Sequence, residues 1–168
     1  MRSLALGTVI PILATMAYFQ APPAARPASA RQTPIKQVYD EAADAKADIS
    51  RAVSQAQRDH KRVLLVFGGN WCGDCLALDQ RFHEAPGASI IEAGFIVIHV
   101  DSGRAGKNSD VAKKYNVSLD KGVPAVAVLE SDGSLLYSQR NGEFEPARRM
   151  DPQVFIDFLN KWKPGVRH

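Results

Sequence analysis

The chain has 168 residues, with 21 Lys and Arg against 18 Asp and Glu, and only two cysteines. That length holds one domain. Residues 1–30 carry Arg2 and Arg26 and no acid, so beyond them 19 basic residues face 18 acidic ones, a balance that gives no argument for nucleic acid or an acidic membrane surface as partner.

Arg2 precedes an uncharged stretch, residues 3–19, which Pro11 interrupts and which is short for a comfortable membrane span. The Pro/Ala-rich segment behind it contains Ala28-Ser29-Ala30, a small-x-small cleavage pattern. Residues 1–30 therefore read as a secretory signal peptide, the alternative being an uncleaved anchor tethered by residues 21–34. Either places the domain outside the cytoplasmic membrane, and the membrane is a partner only if the segment stays uncleaved. A lipid anchor has no support, since no cysteine lies near the N-terminus.

Residues 31–60 read as an N-terminal amphipathic helix. Ile35, Val38, Ala42, Ala45, Ile49, Val53 and Ala56 recur at steps of three and four, with Asp40, Glu41, Lys46, Asp48 and Arg51 opposite. The apolar face is mostly alanine and too short for a sustained coiled coil, so docking on the domain's own sheet is expected. His60-Lys61-Arg62 reads as a solvated turn. Residues 63–67 are apolar on both faces, as in a strand buried between layers. Gly68-Gly69-Asn70 then reads as a tight backbone turn.

Trp71-Cys72-Gly73-Asp74-Cys75 follows, and Leu76, Leu78 and Phe82 continue at helical spacing. A Cys-x-x-Cys pair at a strand-to-helix junction reads as a thioredoxin-type redox motif. Two cysteines three apart at a helix start lie on one face and can close a small disulfide ring. Cys72 would sit at the helix N-terminus, where unpaired N–H groups and the helix dipole favour the thiolate, so it is the expected nucleophile. Cys75, one turn in, would break the mixed disulfide. Gly73 and Asp74 modulate the pair from between the cysteines, and Trp71 would cover the sulfurs and offer a partner an apolar surface. Structural zinc wants four ligands, and neither a second cysteine pair nor a finger-like spacing of His83 and His99 supplies them. A purely structural disulfide would close too short a loop to stabilise much. No metal and no cofactor are expected, because the sulfurs carry the electrons.

The helix should run to about residue 85, ending at Pro86-Gly87. A short turn over residues 90–93, capped by Ser89, a buried strand over 95–100 and a solvated polar loop over 101–108 follow. Asn108 or Ser109 can cap a helix through Tyr115. Gly122-Val123-Pro124 leads into a strand over 125–129, and Asp132-Gly133 marks a hairpin to residues 135–138. The charged segment 140–150, with Arg148-Arg149, reads as a solvated loop. Asp151-Pro152 opens a last helix with Val154, Phe155, Phe158, Leu159 and Trp162 on its apolar face.

Trp71-Cys72-Gly73-Asp74-Cys75 together with Gly122-Val123-Pro124 resembles the thioredoxin superfamily. Leu78, Phe82, Ile90-Ile91, Phe95 and Val97-Ile98-His99-Val100-Asp101 are similar to bacterial periplasmic thioredoxin-like domains, including the C-terminal domain of transmembrane thiol–disulfide interchange proteins. The resemblance spans residues 61–163. It implies an α/β thioredoxin-like fold over 61–168, with a mixed central sheet flanked by helices and the extra N-terminal helix in front. It also implies a cis Pro124 beside the cysteines, with Val123 offering its backbone to a substrate's extended chain.

Thioredoxin itself carries proline where Asp74 stands. It also has a buried aspartate six residues before its first cysteine, where this chain has Val66, and a partner lysine that falls at Val97. Another carboxylate, water or a group of the partner must take the proton of Cys75; Asp74 is the nearest candidate, with Glu130 and His99 behind it. The implied activity is reduction of protein disulfides outside the cytoplasm, with electrons from a membrane or soluble thiol donor. Reduction is favoured over oxidation or isomerisation because the Asp74 carboxylate should oppose the Cys72 thiolate. A non-catalytic binding or chaperone module is the other class of reading, and intact Cys72 and Cys75 speak against it.

Overall fold

The two apolar runs at 63–67 and 125–129 become the centre of the sheet. In the computed structural model, which describes residues 37–165, the strands are β1 (Arg62–Gly68), β2 (Phe95–Asp101), β3 (Ala125–Leu129) and β4 (Leu135–Ser138). They form one sheet in the order β2-β1-β3-β4. β1 runs parallel to β2 and antiparallel to β3, and β4 is antiparallel to β3, so the sheet is mixed as expected. Every residue of β1 and β3 is buried, because both faces are covered and neither strand has a solvent side on which to place polar residues.

Alternation along the strands divides the core in two. Val63, Leu65, Phe67, Ala125, Ala127 and Leu129 pack with α1 (Ala45–Asp59) and α4 (Ser109–Lys114). Leu64, Val66, Val126 and Val128 meet Leu78 and Phe82 of α2 (Gly73–Phe82), and Phe155 and Leu159 of α5 (Pro152–Trp162). α3 (Gly87–Gly94) lies between α2 and β2 in sequence and is longer than the expected turn, whereas α2 ends at Phe82, earlier than expected. The hairpin forms at Asp132-Gly133, with Gly133 at a φ of 87° and Ser134 N–H donating to Asp132 Oδ1. Trp162 packs on Tyr137, ring centroids 5.1 Å apart, as a core anchor.

The N-terminal helix begins later than its periodicity suggests. Asp44 caps it, its Oδ1 accepting from Lys46 N–H at 3.0 Å and Ala47 N–H at 3.1 Å. Two of the four N–H groups that a helix start leaves unpaired are satisfied there, so Ala45 is the natural first residue. Ile35 and the residues before it lie outside the described residues, as do the signal segment and its cleavage pattern. Residues 37–44 form an irregular strap instead of helix. Docking on the sheet is as expected: Ala45, Ile49, Ala52 and Ala56 are all in the core. Among the described residues no helix is long and apolar enough to cross a membrane.

Three stretches expected to be solvated are tied into the fold. Arg62 is buried. It donates to the carbonyls of Trp162 and Lys163, both at 3.0 Å, and to Glu130 Oε1 at 2.7 Å, so it locks the end of α5 to β1. In the loop after β2, Lys107 donates to Asp101 Oδ2 at 3.0 Å and to the Glu41 carbonyl of the strap. In the 140–150 segment Phe144 and Ala147 are buried, and residues Ala147–Arg149 form a 3-10 turn beside α2. A charge repaid by several hydrogen bonds can be buried; sequence spacing does not reveal such partners.

Replacing Arg62 with Ala should lower stability by about 2–4 kcal/mol in equilibrium urea unfolding, since charge-assisted bonds to two carbonyls and a carboxylate disappear together. A loss under about 0.5 kcal/mol, the range of ordinary surface changes, would show that the clamp is not a stabilising element.

Candidate active site

Cys72 is the N-cap of α2, in extended conformation, and its Sγ accepts from Cys75 N–H at 3.1 Å. The sulfur therefore does what a serine or aspartate does at other helix starts, and it lies at the positive end of the helix dipole. Cys72 and Cys75 form a disulfide, S–S 2.18 Å, Cα–Cα 5.2 Å. The two sulfurs are unequal. Cys72 is 8 % exposed, whereas Cys75 is 0 % exposed and packed against Tyr39. The Val123 carbonyl lies 3.5 Å from Cys72 Sγ, and the Val123–Pro124 bond is cis, so β3 begins beside the disulfide. Gly122 precedes it at a φ of 96°, where a Cβ would also meet Glu145 Cγ at 2.8 Å.

Trp71 is 41 % exposed, with the Arg104 guanidinium 4.8 Å above its ring. Its indole packs over Gly69, where an added Cβ would run into Nε1. Neither Gly68 nor Gly69 has a positive φ, yet the tight turn read from the sequence is there: Cys72 N–H donates to the Gly69 carbonyl at 3.0 Å, and the glycines leave space for their neighbours. At Gly68 an added Cβ would fall 2.5 Å from the Tyr39 hydroxyl and 2.7 Å from Cys75 Sγ.

Asp74 does not face Cys75 as a free carboxylate. Arg148 N–H donates to its Oδ1 at 2.9 Å, and Arg148 Nε and Nη2 donate to its Oδ2 at 3.1 and 2.9 Å. The Arg148 guanidinium lies across Gly73, 3.4 Å from where a Cβ would be. These hydrogen bonds hold the Asp74 carboxyl below the usual carboxylate range and raise Arg148 above its own, so Asp74 is charged and paired. The 140–150 segment thus reaches the cysteine turn, contrary to its reading as a solvated loop. Glu130 is engaged by Arg62.

The buried carboxylate absent at Val66 stands elsewhere, at Asp79, one turn beyond Cys75 on α2. Its Oδ1 is 3.1 Å from His99 Nε2 and 3.6 Å from His83 Nε2. Asp79, His83 and His99 line a groove of about 590 Å³ that also includes Val38 and Phe82. The i+4 spacing from Cys75 was the signal available in the sequence. His99 joins because it pairs with Val66 across β1 and β2, which sets both side chains on the α2 side. Among the described residues no group of His, Cys, Asp and Glu is arranged to hold a metal ion.

The thioredoxin-like family matches residues 44–131. The chain belongs to this family. A disulphide isomerase from Xylella fastidiosa Temecula1 is similar at 38 % identity and a TM-score of 0.70, over 76 % of this chain and 97 % of that one. A mutant thioredoxin from Halobacterium salinarum NRC-1 shares the fold at 19 % identity and TM-score 0.50, over 77 % and 92 %. The oxidised DsbD C-terminal domain of Neisseria meningitidis matches at 21 % identity and TM-score 0.48, over 72 % and 97 %. No curated protein matches the chain. The thioredoxin-like chain thus presents a redox fold with its Cys-x-x-Cys pair at disulfide distance, and the mixed sheet, flanking helices and extra N-terminal helix agree with the sequence reading.

Asp74 and Arg148 should act on the Cys72 thiolate in opposite senses. Asp74→Asn removes a negative charge and leaves Arg148 unpaired, so the Cys72 pKa should fall, by roughly half a unit for an exposed pair. Arg148→Met should raise it by a similar amount, and the double variant should return near the starting value. Thiolate absorbance against pH checks all three; an unmoved pKa in Arg148→Met would show that the pair does not reach the sulfur.

Proposed function

We propose that the chain is an extracytoplasmic thiol–disulfide oxidoreductase that works from its dithiol form and reduces disulfides of protein substrates. The observation that carries the reading is the inequality of the sulfurs: Cys72 at the helix N-cap beside Val123, Cys75 fully buried behind it. In the first step the Cys72 thiolate, favoured by the Cys75 N–H and the helix dipole, attacks a substrate sulfur. A Cys72–substrate disulfide forms and the second substrate sulfur leaves as a thiolate. Cys75 then loses its proton and attacks Cys72 Sγ; the substrate's first sulfur departs and the Cys72–Cys75 bond closes. Trp71, Val123 and Pro124 form the docking surface, the Val123 backbone pairing with an extended substrate segment. A membrane or soluble thiol donor returns the pair to the dithiol.

Pairing with Arg148 offsets the Asp74 charge that favoured reduction on electrostatic grounds. A second reading, isomerisation, is favoured by the name of the Xylella relative at 38 % identity. It shares the first step and differs in the second, where a thiol of the substrate rather than Cys75 breaks the mixed disulfide.

Cys72→Ser should abolish reduction of a model protein disulfide, and Cys75→Ser should accumulate mixed disulfides with substrate, visible as adducts on non-reducing gels. A Cys72→Ser variant that kept most of its activity would overturn the assignment. Dependence of net reduction on Cys75 selects reductase; scrambled-substrate refolding that persists in Cys75→Ser selects isomerase.

Export rests on residues 1–30. A mature protein beginning at Arg31 should be recovered from the extracytoplasmic fraction by N-terminal sequencing. Full-length protein in the membrane fraction selects the anchor, and full-length soluble protein in the cytoplasm excludes export.

A further inference from the structure

Tyr39 is fully buried, and its hydroxyl has no hydrogen-bond partner among the described residues. A buried hydroxyl without a partner is costly, so its position calls for a compensating role. The strap that carries it is fixed to the cysteine turn itself. Asn70 Oδ1 accepts from the Val38 and Tyr39 N–H groups, both at 3.0 Å, and Asn70 Nδ2 donates to the Tyr39 carbonyl at 2.7 Å. Asn70 stands two residues before Cys72, so strap and redox turn form one unit. The ring meets His99 edge-on, centroids 5.1 Å apart. The hydroxyl and Cys75 Sγ crowd the same space over Gly68.

We propose that Tyr39 donates a hydrogen bond to the Cys75 sulfur once the disulfide is open, and that this bond speeds the second exchange step by raising the fraction of Cys75 present as thiolate. A disulfide sulfur is a weak acceptor and leaves the phenol unpaired; a thiolate is a strong one. Burial, with Asp79 and Asp101 nearby, holds the phenol's pKa well above its ordinary value, so Tyr39 keeps its proton and acts only as donor. The Cys75 thiol gives its proton to the Asp79 carboxylate, which passes it to water in the groove shared with His99. The Cys75 thiolate, held by the Tyr39 O–H, attacks Cys72 Sγ, the Cys72–Cys75 bond forms, and the Cys72–substrate bond breaks. The departing substrate thiolate takes a proton from water. The inference rests on the reading that Cys75 breaks the mixed disulfide.

By favouring the Cys75 thiolate, Tyr39 also favours the dithiol over the disulfide. Tyr39→Phe keeps the ring and deletes only the donor. In the full purified chain, the equilibrium with glutathione should move about tenfold towards the disulfide, which is about 30 mV for two electrons. With dithionitrobenzoate as disulfide probe, the first thionitrobenzoate, released when Cys72 attacks, should appear within twofold of the wild-type rate. The second, released when Cys75 attacks, should appear about tenfold more slowly. In a Cys72→Ser background the Cys75 pKa should rise on adding Tyr39→Phe. The same contact is readable without a Tyr39 variant: in ¹³C-tyrosine-labelled wild type, the Tyr39 Cζ resonance should shift when the disulfide is reduced.

A folded Tyr39→Phe with an unchanged equilibrium and second phase overturns the inference and leaves the exchange reading intact; so does a Cζ resonance indifferent to reduction, even if the variant fails to fold. A wild-type chain that released only the first thionitrobenzoate would overturn the exchange reading, and the inference with it.

Discussion

The space above Gly68 is the constraint on which the site depends. Two atoms from distant parts of the chain, the Tyr39 hydroxyl and Cys75 Sγ, occupy what would be the start of a side chain there. Any Cβ at 68 would displace one of them, and each displacement undoes something. If Cys75 moves, the disulfide cannot close over the N-cap of α2. If Tyr39 moves, the strap loses its buried anchor and Asn70 its three bonds. The backbone at this point is fixed from the opposite direction, because Ser102 N–H and Oγ both donate to the Gly68 carbonyl, at 2.7 and 2.9 Å. β1 thus delivers a rigid, bare backbone to the place where the sulfurs must pack.

Charge near the sulfurs is arranged in pairs that differ in exposure. Arg148 and Asp74 meet at the surface, where solvent screens them and the pair's contribution to stability is small; its consequence is local, setting how much net charge Cys72 meets. Because the Asp74 pKa is depressed in the folded chain, whatever stability the pair contributes is present above the unfolded carboxylate pKa and is lost as pH falls through the folded one. Asp79 and His99 meet under the helix, where fewer water molecules weaken the interaction. One pair lies over Gly73, between the cysteines, and the other one turn beyond Cys75 on α2.

What the sequence disclosed and what it hid divide along physical lines. The strands at 63–67, 95–100 and 125–129, the hairpin at Asp132-Gly133 and the helix opened by Pro152 were legible because each has a local signature: an apolar run, a turn pair, a first-turn proline. The cysteine pair was legible because its spacing is itself the chemistry, and the cis Pro124 beside it followed from the family resemblance. Hidden were the contacts made by long polar side chains. Arg62 reads as one of three basic residues in a turn until the carbonyls of Trp162 and Lys163 come back to it. Arg148 reads as loop until Gly73 gives it a path to Asp74. The strap was hidden differently: Val38 and Ala42 keep helical step with Ala45 and Ile49, and only the Asp44 cap decides that the helix starts after them. Periodicity locates a face; a cap locates an end.

Two of the site residues that the sequence missed share one property. Tyr39 and Arg148 come from segments outside the sheet, one before α1 and one between β4 and α5, and each touches a different part of the same five-residue turn. The sheet and α2 fix where the sulfurs sit, to the tolerance that closing a disulfide requires. They do not alone fix how readily each sulfur ionises, because ionisation also responds to groups a few ångströms away that neither carries. In this chain the strap and the 140–150 segment bring two such groups, Tyr39 and Arg148, to the cysteine turn. A reaction direction inferred from Trp71-Cys72-Gly73-Asp74-Cys75 alone therefore leaves out charges brought in from elsewhere, and the paired state of Asp74 is the instance in which that omission changes the argument.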